Sequence, residues 1–172
     1  MDLSLKGKTA LVCGSTQGIG RAAAEELANL GANVVLMARN ESALKEVMGE
    51  LSKNEGQQHA YLIADFQYPE KVKEVIDDFT ATQTIHILIN NTGGPPGGPI
   101  VDAKVSEFEN AFKSHLLCNH ILVQAVLAGM KTSGYGRIVN IISTSVKIPL
   151  AGLGVSNTIR GAVASWSKTM AN

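Results

Sequence analysis

The sequence predicts an α/β fold: a parallel sheet wound in two directions from its first strand, with helices on both faces. Three observations predict it. Apolar runs of strand length alternate with segments whose apolar residues recur at helical spacing. The strands are nearly continuous in apolar residues, as strands covered on both faces are. The first strand runs through closely spaced glycines straight into a helix, and a strand, a helix and a second strand in that order form the unit from which parallel sheets are built.

The first strand, Lys8-Thr9-Ala10-Leu11-Val12-Cys13, enters the turn Gly14-Ser15-Thr16-Gln17-Gly18-Ile19-Gly20. Glycine allows the sharp turn, and the free N–H groups at the start of a helix favour an anion, so the turn reads as a phosphate-binding site. The helix carries Ile19, Ala23, Leu27 and Leu30 on one face and stops at Gly31; residues 33–37 form the second strand. Asn40-Glu41-Ser42 opens a second helix with Leu44, Val47, Met48 and Leu51, ended by Asn54 and Gly56. Residues 59–64 read as a third strand ending at Asp65, and Val72, Val75, Ile76 and Phe79 mark a third helix.

Residues 85–89 are a fourth strand. After the loop Gly93-Gly94-Pro95-Pro96-Gly97-Gly98-Pro99, one long helix is expected over about residues 105–130, apolar beyond one stripe. Residues 137–142 give a fifth strand, and Val155, Ile159, Val163, Trp166 and Met170 a last helical stripe. Ligands of such sheets bind beyond the carboxyl ends of the strands, near the point where the winding reverses. The glycine turn, Arg39, Asp65, Asn91 and Ser143 all fall there.

With 172 residues, 45% of them hydrophobic, the chain closes one core, and one domain over residues 1–172 is expected. Fifteen basic and fifteen acidic residues are spread along it, which argues against nucleic acid or an anionic membrane as partner. Cys13 and Cys118 lie in apolar segments without metal-ligand spacing and read as reduced thiols of a cytoplasmic protein; no metal site is expected. The N-terminus lacks the apolar core of a signal peptide, and no apolar run reaches membrane-spanning length.

The second strand ends Leu36-Met37-Ala38-Arg39, with no acidic residue to accept from an adenosine ribose. A guanidinium there holds a phosphate through paired charge-assisted hydrogen bonds, which favours NADP(H) over NAD(H); a solvated arginine is the alternative.

The spacing G-x-x-x-G-x-G at Gly14, Gly18 and Gly20, and the segment Asn90-Asn91-Thr92-Gly93, resemble the short-chain dehydrogenase/reductase family, and within it the 3-oxoacyl-acyl-carrier-protein reductases. The resemblance runs along essentially the whole chain. It implies a three-layer Rossmann fold with strand order 3-2-1-4-5, the family's last strands being absent. It also implies cofactor contacts from Gly14 to Gly20, at Arg39, at Asp65 and Phe66 for the adenine, and at Asn91 and Gly93. Asp65 reads alternatively as a helix cap ahead of Pro69.

In that family Ser, Tyr and Lys, with an Asn from the long helix, reduce a carbonyl. Ser143 matches the serine, whereas the Tyr-x-x-x-Lys pair falls on Ser156-Asn157-Thr158-Ile159-Arg160 and the asparagine on His115. The catalytic set implied here is therefore Ser143, Ser156 and Arg160. Serine is a far weaker acid than a phenol, so Ser156 replaces the proton donor poorly, while Arg160 keeps the charge that binds ribose hydroxyls. His115 has suitable acidity, although a lone histidine on an apolar helix also reads as a hydrogen-bonded core residue.

The expected activity is NADP(H)-dependent reduction of a carbonyl compound or acyl thioester; the alternative is a catalytically silent dinucleotide-binding protein. The family resemblance and the apolar excess on the long helix imply a homodimer or homotetramer, with burial inside one subunit as the alternative. The chain ends at Asn172, where relatives continue, so an incomplete chain is expected.

Overall fold

The computed structural model describes residues 3–172. Five parallel strands form one sheet in the order β3-β2-β1-β4-β5. They are β1 (Thr9–Cys13), β2 (Asn33–Ala38), β3 (Ala60–Ile63), β4 (Ile87–Asn90) and β5 (Arg137–Asn140). The central register pairs Thr9 with Asn33 and Cys13 with Met37 on one side of β1, and Ala10 with Ile87 on the other. The helices are α1 (Gly18–Asn29), α2 (Glu41–Glu50), α3 (Pro69–Thr80), α4 (Val105–Phe112), α5 (Cys118–Thr132) and α6 (Gly154–Met170).

Alternate residues of β1 and β2 enter two cores. Ala10, Val12, Val34 and Leu36 pack with Ala24, Ala28, Leu44 and Val47 of α1 and α2. Leu11, Cys13, Val35 and Met37 pack with Val72, Ile76, Leu122 and Val126 of α3 and α5. Both faces of the central strands are thus dry, which accounts for their unbroken apolar character. The small residues Gly20, Ala24 and Ala28 form the buried stripe of α1. Ile19 was expected on that stripe but is 62% exposed at the mouth of the glycine turn. The stripe runs one position later because only small side chains allow α1 to lie close to the sheet.

The long helix expected over residues 105–130 is two helices joined by a π turn at Lys113–Leu117. The Ser114 hydroxyl donates to Asn110 O at 3.0 Å, taking the carbonyl that an ordinary α turn gives to the Ser114 N–H. α4 then packs on α6 through Ala111, Val155 and Ile159, with Phe108 beside them. Strand β5 is an edge, four residues long, with Val139 45% exposed. Leu117 and Leu127 are also exposed. Among the described residues no helix is long and apolar enough to cross a membrane.

Candidate cofactor and active site

The carboxyl ends of β1, β2, β3 and β4 border a cleft of about 480 Å³, lined among others by Gly14, Gln17, Arg39, Asp65, Phe66 and Gly93. Its base is the glycine turn. Gly14 and Gly18 have φ of +57° and +55°, in the left-handed region that side chains disfavour. A Cβ on Gly20 would stand 2.2 Å from Gly14 O, and one on Gly14 would stand 2.6 Å from Asn91 O. The absent side chains of Gly14 and Gly20 therefore let the turn, α1 and the end of β4 pack together. Gly18 faces open space and supplies only its φ.

A diphosphate suits this turn. Gln17 makes no side-chain cap and no acidic residue stands in the first turn of α1, so the helix's first N–H groups and its partial positive charge are left to a ligand. Thr16 lines the cleft. Ser15 is wholly buried with its hydroxyl unpartnered, so it faces inward from the turn.

Arg39 follows β2, is exposed on the cleft and joins none of the ion pairs among the described residues. Asp65 accepts from Gln67 N at 3.0 Å, which closes the turn after β3 and leaves its second carboxylate oxygen free for a ligand. It does not cap α3, whose N-cap is Tyr68. Phe66 lines the cleft and leans on the lower core. Asn91 donates to Cys13 O and Gly14 O, both at 3.3 Å, tying the end of β4 to that of β1.

One pair was not foreseen from the sequence. Gln67 Nε2 donates to Ser114 Oγ at 2.7 Å across the outer end of the cleft. The π turn carries Ser114 there, and no spacing in the sequence announces that turn.

At the end of β5, Ser143 caps the 3₁₀ turn Thr144–Val146, its Oγ accepting from Ser145 N at 3.1 Å. The hydroxyl hydrogen is left to donate. Ser156 stands half-buried in the first turn of α6, with Arg160 one turn on along the same face. Arg160 is buried, and its Nη1 donates to Ile141 O at 2.9 Å, placing the guanidinium at the end of β5. Burial pushes its pKa down.

His115 is 2% exposed and its Nδ1 is hydrogen-bonded to the Thr92 hydroxyl. Burial, with the Arg160 charge beside it, lowers its pKa to about 4. The ring is neutral at pH 7, as the core-histidine reading expects. An Asn90–Asn140–Ser167 chain, at 2.8 and 2.9 Å, binds β4, β5 and α6 below this cluster.

The family model described as short chain dehydrogenase matches residues 8–172. A tropinone reductase homolog of Arabidopsis thaliana is 31% identical over 170 residues, covering 98% of this chain and 52% of the relative. A 3-oxoacyl-acyl-carrier-protein reductase of Vibrio cholerae is 32% identical over 170 residues, covering 98% of this chain and 68% of the relative. The crystal structure of L-sorbose reductase from Gluconobacter frateurii, complexed with NADPH and L-sorbose, superposes with a TM-score of 0.92 at 30% identity, covering 99% of this chain and 65% of that one. The chain thus spans about half to two thirds of the length of these relatives. A glycine turn seated against the end of β4, strand order 3-2-1-4-5 and a family match from residue 8 to the last residue lead to one assignment: the chain belongs to the short chain dehydrogenase family.

Proposed function

We propose that the protein binds NADP(H) along the carboxyl ends of the sheet and reduces the carbonyl of a small molecule to an alcohol. The observation that carries the reading is the cleft in which Arg39, without a carboxylate partner among the described residues, borders the glycine turn. In this reading the first N–H groups of α1 hold the pyrophosphate, Ile19 covers it, Arg39 grips the 2′-phosphate, and the free oxygen of Asp65 accepts from the adenine amino group. Gly93 walls the cleft, and Asn91 ties the end of β4 to the glycine turn beside it. Bound NADPH supplies a hydride.

The Ser143 hydroxyl, its oxygen already engaged by Ser145 N, donates to the substrate carbonyl. The proton reaches the alkoxide from water held at Ser156, because an aliphatic hydroxyl is too weak an acid to give its own. His115 is excluded as the donor at neutral pH by its low pKa and its bond to Thr92. The resemblance supplies 3-oxoacyl thioesters as a first substrate class. In a second copy the exposed Leu117 of the π turn and Leu127 of α5 would be covered, which supports a homodimer or homotetramer.

The second reading, a silent dinucleotide-binding protein, draws its support from Ser156 and Arg160, onto which the resemblance carries the family's tyrosine and lysine. Steady-state NADPH absorbance over a panel of ketones and 3-oxoacyl thioesters separates the two. The reductase reading expects turnover that falls at least tenfold in Ser143→Ala. Tight NADPH binding without turnover establishes the silent one.

A further inference from the structure

Arg160 is a charge in search of a partner. Its side chain lies in a residue only 9% exposed, and a single hydrogen bond, Nη1 to Ile141 O at 2.9 Å, holds it. A guanidinium has five N–H donors and no acceptor. The ion pairs among the described residues all lie elsewhere, on exposed side chains. His115 feels the Arg160 charge, but that ring is neutral and carries no compensating negative charge. A buried cation left unpaired is costly, so an anion is the natural complement.

The surroundings point the same way. Ser143 has spent its oxygen on Ser145 N and offers a donor, and Ser145 itself is 2% exposed with its hydroxyl unpartnered. Ser156 shares the Arg160 face of α6. Arg160 and Ser143 both stand at the end of β5, and among the described residues no carboxylate pairs with Arg160. The cofactor's pyrophosphate does not fill this place, because the glycine turn follows β1, two strands and so about 10 Å away. Ribose hydroxyls would take hydrogen bonds from Arg160 but leave its charge unmatched.

We infer that Arg160 is a specificity-determining residue that takes the carboxylate of a short oxo acid, whose carbonyl lies against Ser143. A carboxylate is planar and matches the guanidinium fork through two parallel hydrogen bonds. A serine at position 156 is far shorter than the tyrosine that the family resemblance puts there, so it takes up less room beside Arg160. The inference rests on the reductase reading and narrows it from carbonyl compounds in general to free oxo acids, in preference to neutral esters and thioesters. In the reaction the carbonyl carbon gains a hydride with its electron pair, the C=O π pair becomes an alkoxide lone pair, and the alkoxide takes one proton from water. With acetoacetate, NADPH and one proton the products are 3-hydroxybutanoate and NADP⁺.

The test compares acetoacetate with methyl acetoacetate, which has the same carbonyl and no charge. Calorimetric binding to the protein alone should favour the acid at least tenfold, and kcat/KM with NADPH should show the same preference. In Arg160→Met the binding preference should fall to about one; Arg160→Lys, which keeps the charge without the fork, should retain part of it. Circular dichroism on each variant reports that it is folded. Equal binding of acid and ester by the wild-type protein overturns the inference, as does a preference unchanged in Arg160→Met. So does a Met variant whose main loss is NADPH affinity, since Arg160 would then serve the ribose. Acid-selective binding in a protein that binds no NADPH would sustain the carboxylate site while removing the reductase reading.

Discussion

The Thr92 hydroxyl and His115 Nδ1 are hydrogen-bonded, joining the loop after β4 to the π turn between α4 and α5. The bond holds the Thr92–Gly94 wall of the cleft to the helix layer beneath it. Two things follow from its surroundings: the ring must stay dry to keep a low pKa, and the Arg160 charge nearby disfavours its protonation.

Stability should therefore fall in mild acid. His115 has a folded pKa of about 4 against 6.5 when free, so its contribution is complete above pH 6.5 and is lost as the pH drops from there through 4. The loss is roughly 3 kcal/mol over that span. His59 and His86 act in the same direction, since burial lowers both and their Nδ1 atoms accept from Val34 N and Thr9 N. Urea unfolding at pH 7 and pH 4.5 measures the difference, and His115→Gln should shrink it. An NMR titration finding His115 at its free value would show the account of this ring to be mistaken.

Gly20→Ala and Gly18→Ala should separate two uses of glycine. At Gly20 an added Cβ meets the backbone oxygen of Gly14, so the turn must move and stability should drop by about 3 kcal/mol. At Gly18 only φ is at stake, and the expected cost is about 1 kcal/mol. Urea midpoints for the two variants give the order; a larger loss at Gly18 would reverse the assignment.

Asn140→Ala should cost about 1–3 kcal/mol, because Asn90 Nδ2, in a residue 1% exposed, then loses its acceptor. Replacing both asparagines by leucine tests whether the polar pair or the packing matters: a double variant no less stable than Asn140→Ala identifies the orphaned amide as the cause.

Much of this was legible in the sequence. The doubly wound parallel sheet and both helical layers follow from alternation, apolar period and glycine spacing, and the strand order from the family resemblance; Gly14, Arg39 and Asp65, expected along one rim, line one cleft. The π turn at Lys113–Leu117 was not legible, since no residue type or spacing there marks it. Ile19 misled for a related reason: the periodic pattern favours large side chains, while α1 approaches the sheet through Gly20, Ala24 and Ala28. The partners of Thr92 and Gln67 were beyond reach because each bond joins segments distant in sequence.

Arg39→Ala should weaken NADPH at least tenfold and leave NADH nearly unchanged, since only the former brings a phosphate to the end of β2. Fluorescence titration with each nucleotide reads the ratio. An equal loss for both would make Arg39 an adenine-stacking residue, with no part in choosing the cofactor.

The most direct measurement is calorimetric titration of the wild-type chain with NADPH and with NADH. A cleft with a free guanidinium beside the α1 turn predicts saturable one-to-one heat with NADPH, at an affinity at least tenfold above that for NADH. Absence of heat with either dinucleotide would contradict it.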